Sequence, residues 1–146
     1  MSVRTMTQPH VAIITPIFKH SRLVVDAIDS VIHQVFDGRI SHIVVSDGCP
    51  YSETWDALIE LSTAFRNSIY FIEKENGGLS SARNSGLEFA LKNLTRIDAF
   101  FFLDSDNHLT PLAIARYYDA LKTQSGKYKF VYPDIEMTGI QWSGFF

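Results

Sequence analysis

Apolar positions along this chain follow two alternating rhythms. Short β-branched or aromatic runs are separated by longer stretches in which apolar residues return with helical spacing. His10 to Thr15 (His-Val-Ala-Ile-Ile-Thr) reads as a first strand, and Pro16 is expected to stop it because proline cannot donate to a central ladder. Ser21 is placed to cap a helix. Behind it Leu23, Ala27, Val31 and Val35, beside Val24, Ile28 and Ile32, make a wide apolar stripe that Asp37-Gly38 closes. Ile40 to Ser46 is a second strand running into Asp47-Gly48. A second helix is expected behind Ser52, with Glu53 and Asp56 near its positive end and Trp55, Leu58, Ile59 and Phe65 as its buried face. Ser68 to Glu73 forms a third strand, followed by the loop Asn76-Gly77-Gly78.

The third helix is expected over Leu79 to Asn93, with Leu79, Ala82, Leu87, Ala90, Leu91 and Leu94 as its apolar positions. Its first turns hold small residues, Ser80, Ser81, Ala82 and Gly86, around Arg83-Asn84, which permits close approach of a neighbour or a ligand. Ile97 to Leu103 is a fourth strand. Thr110-Pro111 predicts a cap with proline at the first position of a fourth helix reaching Thr123, which Ser125-Gly126 closes. Lys129 to Tyr132 (Lys-Phe-Val-Tyr) is expected as a fifth strand, and residues 1–9 as a loose polar lead.

Strands alternating with helices predict βαβ units: an α/β fold with a Rossmann-like, mostly parallel sheet and flanking helices. Right-handed crossovers place the carboxyl ends of the strands on one rim, where ligands of such sheets gather. That rim collects Thr15-Pro16, Asp47-Gly48, the loop from Lys74 to Gly78, and Asp104-Ser105-Asp106. The last group ends the apolar run Phe100-Phe101-Phe102-Leu103, which reads as a strand buried on both faces. Two carboxylates this close repel each other unless a cation or a proton lies between them. As hard oxygen donors they suit Mg²⁺ or Mn²⁺ carrying a phosphate group. The D-x-D pattern alone also fits a turn begun by Asp104 with a helix cap at Asp106 or Asn107.

Composition narrows the classes. With 146 residues, 46 % of them apolar, the chain fits one domain with a real core. A net charge of −3 without a basic block argues against nucleic acid as the partner. The single cysteine, Cys49, allows no internal disulfide and is read as an inert thiol in a reducing compartment. The start carries no apolar core of signal-peptide length, and no stretch approaches the ~20 apolar residues of a membrane span. The expected location is therefore cytoplasmic, with peripheral attachment at a membrane left open. His10, His20, His33 and His42 lack metal-ligand spacing and are read as surface or edge residues, and His108 as a solvated turn histidine.

Four segments in this order resemble the inverting family-2 glycosyltransferases of GT-A fold. They are Ile14-Thr15-Pro16-Ile17-Phe18, Val44-Val45-Ser46-Asp47-Gly48, the run Glu75-Asn76-Gly77-Gly78-Leu79-Ser80-Ser81-Ala82-Arg83-Asn84-Ser85-Gly86, and Phe102-Leu103-Asp104-Ser105-Asp106. The resemblance spans about residues 10 to 134. It implies a nucleotide-sugar donor, a uridine diphosphate sugar first, and transfer with inversion assisted by Mg²⁺ or Mn²⁺. Thr15, Pro16 and Ile17 would line the pocket for the base, and Asp47 would hydrogen-bond base or ribose. Gly78, Arg83 and Asn84 would flank the donor, with Arg83 available to the diphosphate. Asp104 and Ser105 would lie by the ribose or metal, with Asp104 and Asp106 as the metal ligands. The resemblance places the catalytic base in a later segment, beyond Phe146, so residues 10–146 are expected to be the donor-binding part of a longer catalytic domain. The acceptor, whether saccharide, lipid-linked or protein, stays open, as does a homo-oligomer.

Two other classes fit the same residues: a nucleotide- and metal-binding module without turnover, and a metal-dependent nucleotidyl- or phosphoryl-transfer enzyme. The Gly77-Gly78 loop follows the third strand and lacks the Lys-Ser/Thr ending of a P-loop, which argues against an ATPase.

Overall fold

The computed structural model describes residues 8–18, 23–49, 58, 60, 68–127 and 129–133. Among these, four strands form one sheet: β1 (His10–Ile17), β2 (Arg39–Asp47), β3 (Ile69–Lys74) and β4 (Ala99–Phe102), in the order β3-β2-β1-β4. Every pairing is parallel. The helices are α1 (Leu23–Ile32), α2 (Leu79–Asn93) and α3 (Ala113–Thr123). The expected parallel α/β sheet with flanking helices is the observed one. The helix expected behind Ser52 lies largely outside the described residues, as do Ser21, His20, Trp55 and Phe65; Leu58 is buried against Ile17 and Ile28.

The two central strands alternate faces. Ala12, Ile14, Ile43 and Val45 meet Ala82 and Ala90 of α2 on one side. Val11, Ile13, Ile17 and Val44 meet Ala27, Val31, Val24 and Ile28 of α1 on the other. Helices on both faces make the sheet doubly wound. Ala82, Gly86 and Ala90 are the residues of α2 buried against the sheet, spaced four apart, so this small-residue stripe sets how near the helix lies. A Cβ at Gly86 would stand 2.6 Å from Ile14 Cγ2, a fully buried methyl. Gly86→Ala is therefore expected to cost about 1–3 kcal/mol in urea unfolding, overriding the helix-propensity gain of about 1 kcal/mol. A stabilised variant would show that Ile14 yields without strain.

Several sequence expectations are corrected. Pro16 does not end β1, which continues through Ile17 with Pro16 paired opposite Val45. The reason is directional. Ile14 C=O faces the β4 side, where it accepts from Leu103 N–H at 3.0 Å, and Pro16, two residues on, faces the same side. The β1–β4 register closes at Ile14 opposite Phe102, so no ladder partner remains there for a proline to disappoint.

β4 is not buried on both faces: it is an edge strand of the sheet among the described residues, and Phe102 is 44 % exposed. Helix α1 ends at Ile32, ahead of Asp37-Gly38, and Val35 is exposed. There the Gln34 side chain takes over, donating to Ser30 O and Thr110 O and accepting from Ile114 N–H. Thr110-Pro111 forms a turn ahead of α3 instead of its cap and first residue. Residues 129–132 are no strand. The amide of Gln124 holds both backbone groups of Phe130, and Phe130 and Tyr132 are exposed.

His10 and His42 are not surface residues. Both lie in the central strands and are buried. The His10 ring reaches Thr95 O and Ser41 Oγ, and His42 Nε2 lies 2.8 Å from Thr15 Oγ1. His33 and His108 are exposed, as read.

Candidate functional site

The strand order reverses between β1 and β4, the switch point at which parallel α/β sheets open a crevice. A cavity of about 380 Å³ lies there, within the range of ligand sites. Pro16, Ile17 and Phe18 enter it from the end of β1, and Asp47 from the end of β2. Asn76, Gly78, Leu79 and Ala82 come from the loop and first turns of α2. Asp104, Ser105 and Asp106 follow β4. The structure thus gathers seven of the residues singled out in the sequence, Pro16, Ile17, Asp47, Gly78, Asp104, Ser105 and Asp106, in one cleft.

Thr15 is not among them. Its side chain is fully buried behind the cleft and holds His42. Asn84 lies exposed on α2, outside the cavity lining. Arg83 reaches the rim through Asp104, with Nη2 donating to Asp104 Oδ1 at 2.6 Å. Its guanidinium carbon also stands 5.6 Å from the Phe102 ring centroid, which gives the exposed edge phenylalanine a function as a platform.

Asp47 is the most heavily bonded group of the site. Its carboxylate accepts from Lys74 Nζ at 2.6 Å, from Gly77 N–H at 2.9 Å and from Gly78 N–H at 2.7 Å. Its carbonyl accepts from Asn76 Nδ2 at 3.0 Å. Burial alone would raise the pKa of this carboxyl. The Lys74 hydrogen bond, the two glycine N–H groups and the lysine charge outweigh burial and hold it below the usual value. Gly78 has φ of +87°, a conformation L side chains rarely adopt, and it turns its N–H onto Asp47 while leading into α2. Gly48 has φ of +66°, and a Cβ there would stand 2.9 Å from Asn76 N, so the two rim loops touch.

Lys74 and Asn76 join the site without being among the residues the sequence assigns a role. Register is the signal that finds Lys74: it pairs directly opposite Asp47 across β2 and β3. Without the register, a lysine at a strand end looks like any other.

Asp104 and Asp106 stand at the cleft mouth as the hard oxygen donors a divalent cation requires. Asp106 carries no ion-pair partner among the described residues, and Asp104 is 45 % exposed with only Oδ1 engaged. Arg83 Nε is buried without an acceptor. Free carboxylate oxygens beside an orphaned guanidinium donor fit a metal with its phosphate. Among the described residues no group of three or more His, Cys, Asp or Glu is clustered as a self-sufficient metal cage, so part of the shell would come from ligand or water.

A doubly wound parallel sheet with a cleft at its switch point defines an α/β protein of Rossmann type. Comparison with known proteins is narrower: the sequence profile described as "Glycosyl transferase family 2" matches residues 12–138, and the chain belongs to that family. An uncharacterised glycosyltransferase of Rickettsia bellii is 30 % identical over 129 residues, covering 88 % of this chain and 17 % of that protein. The minor teichoic acid biosynthesis protein GgaB of Bacillus subtilis is 35 % identical over 80 residues, covering 54 % of this chain and 9 % of its own length. The chain therefore spans less than a fifth of these two relatives.

Two of the solved structures that share the fold illustrate the likeness. TarS of S. aureus, residues 1–349 with UDP-GlcNAc, superposes with a TM-score of 0.61 at 17 % identity, covering 77 % of this chain and 31 % of that one. The mannosyltransferase PcManGT of Pyrobaculum calidifontis, with GDP-Man and Mn²⁺, gives 0.58 at 19 % identity, covering 70 % and 29 %. No described helix is long and apolar enough to cross a membrane.

Proposed function

We propose that this chain carries the donor site of an inverting glycosyltransferase that uses a nucleoside diphosphate sugar, a UDP-sugar first, with Mg²⁺ or Mn²⁺. The observation that carries the reading is the convergence of Asp47, Gly78, Asp104 and Asp106 on one cleft at the switch point. Membership in the family supports it, as do fold relatives holding UDP-GlcNAc in one case and GDP-Man with Mn²⁺ in the other.

Pro16 and Ile17 offer the apolar wall that a nucleotide base needs, and Thr15 acts from behind by fixing β2 through His42. Asp47 holds the 74–78 loop as the cleft's floor, and its remaining acceptor capacity faces base or ribose. Ser105, buried between the two D-x-D acids, lines the cleft beside them, and Asn84, exposed on α2 outside that lining, would meet the donor only at its outer edge. Asp104 and Asp106 would hold the cation. Bound there, it would neutralise charge developing on the departing diphosphate. Arg83 adds a second positive group for the same oxygens. The base that deprotonates the acceptor hydroxyl, and the acceptor itself, belong to no described residue.

Thermal unfolding with UDP and Mn²⁺ tests this. Ligand at 100 times its Kd should stabilise the chain by about 2.7 kcal/mol. Asp106→Asn should abolish the metal-dependent part while leaving the unliganded transition in place, since Asp106 is exposed and bonded to nothing that holds the fold. A full shift in Asp106→Asn, or no shift with UDP, GDP or TDP, would remove the reading.

A further inference from the structure

The Arg83–Asp104 contact has features of a bond meant to be exchanged. It is single: only Nη2 meets only Oδ1, although a guanidinium and a carboxylate can pair two-pronged. Arg83 Nε is left buried with no acceptor, a costly condition for a donor. The two side chains are 32 % and 45 % exposed, so water screens the attraction and the pair is weak. The Phe102 face beneath the guanidinium supports it without fixing its in-plane direction. Each partner thus lacks what a metal–diphosphate would bring: Asp104 a stronger cation, Arg83 a two-pronged oxyanion.

We propose that Arg83 guards Asp104 against bare divalent cations and releases it only to a cation that arrives with a diphosphate, onto which the guanidinium then turns. This rests on the donor-site reading above and adds to it an order of events. A naked cation must expel Arg83 and leave that charge facing its own, with nothing gained. A cation carrying a diphosphate supplies the oxyanion that Arg83 accepts in exchange. Metal and nucleotide then bind cooperatively, and Arg83 is the residue that couples them. Phe102 serves as the pivot.

The test is a set of equilibrium titrations on the intact chain: Mn²⁺ alone, followed by electron paramagnetic resonance of the free ion, and UDP with and without Mn²⁺, followed by calorimetry. In Arg83→Gln, Mn²⁺ without nucleotide should bind roughly five- to ten-fold tighter, because a competing cation has left Asp104. UDP in the presence of Mn²⁺ should bind at least about ten-fold more weakly, because its diphosphate has lost a charged partner. The factor by which Mn²⁺ improves UDP binding should therefore collapse. Arg83→Lys keeps the charge without the planar fork and should retain the block on bare Mn²⁺ while losing much of the UDP affinity.

Unchanged or weaker binding of bare Mn²⁺ to Arg83→Gln, with UDP–Mn²⁺ still binding the parent chain, overturns the guard and leaves the donor site standing. Absence of UDP–Mn²⁺ binding to the parent chain overturns both. Arg83 is half-buried at the rim, and a preserved melting transition in both variants confirms that the comparison is between folded chains.

Discussion

Asp47→Ala is expected to lower stability by about 3 kcal/mol in urea unfolding and to abolish nucleotide-induced stabilisation. The carboxylate is buried and meets one ammonium and two backbone N–H groups, and the Lys74 side chain opposite is only 20 % exposed. Removing the acid strands a cation in a partly dry setting, which in buried pairs costs about 3–5 kcal/mol. Lys74 keeps some access to water and Gly77 and Gly78 are exposed, so the lower end of that range applies. Lys74→Met should cost less, about 1–2 kcal/mol, because Asp47 keeps its two glycine N–H donors. The order of the two effects is diagnostic. If Asp47→Ala costs under about 1 kcal/mol, the loop is held by something else, and Asp47 reverts to a solvent-facing ligand contact.

This double duty of Asp47 marks the boundary of what the sequence makes legible. The strands β1 and β2, the span of α2 and the shared rim follow from period and order of residues, because apolar faces must pack and crossovers have one hand. The motif residues reach the cleft for that reason. What stays hidden depends on which neighbour a backbone group faces. Pro16 is harmless in β1 because β4 has already ended beside it. Lys74 acquires a function only through its register with Asp47. Thr15, inside a motif, misses the cleft because it sits one step below the strand end, where its hydroxyl meets His42, while Ile17 on the same face reaches the lining. The fifth strand fails because its backbone is claimed by one glutamine side chain, a local contest that periodicity does not encode.

His42 carries a second large effect, on acid stability. The ring is buried in the central strand β2, with Nε2 on Thr15 Oγ1 and Nδ1 without a partner. An unpartnered N–H costs more than an unpartnered lone pair, which places the single proton on Nε2. Burial lowers its pKa from 6.5 to about 3, since a second proton would put an unpaired charge into the core. The folded chain therefore keeps His42 neutral while the unfolded chain protonates it once pH falls below about 6.5. Between those two values the unfolded state binds the extra proton, so stability falls as pH falls, approaching about 1.4 kcal/mol per pH unit. From pH 7 to pH 5 the His42 share of the loss is about 2 kcal/mol. Asp47, whose carboxyl is held below its ordinary value of 3.8, adds its own loss only in more acid solution. His42→Gln keeps a side-chain donor for Thr15 but cannot titrate. Urea unfolding at both pH values should show a variant less stable at pH 7 yet about 2 kcal/mol less sensitive to acid than the parent. Equal sensitivity in the two proteins would mean that water reaches the ring and that the Thr15–His42 contact behind the cleft is not a dry one.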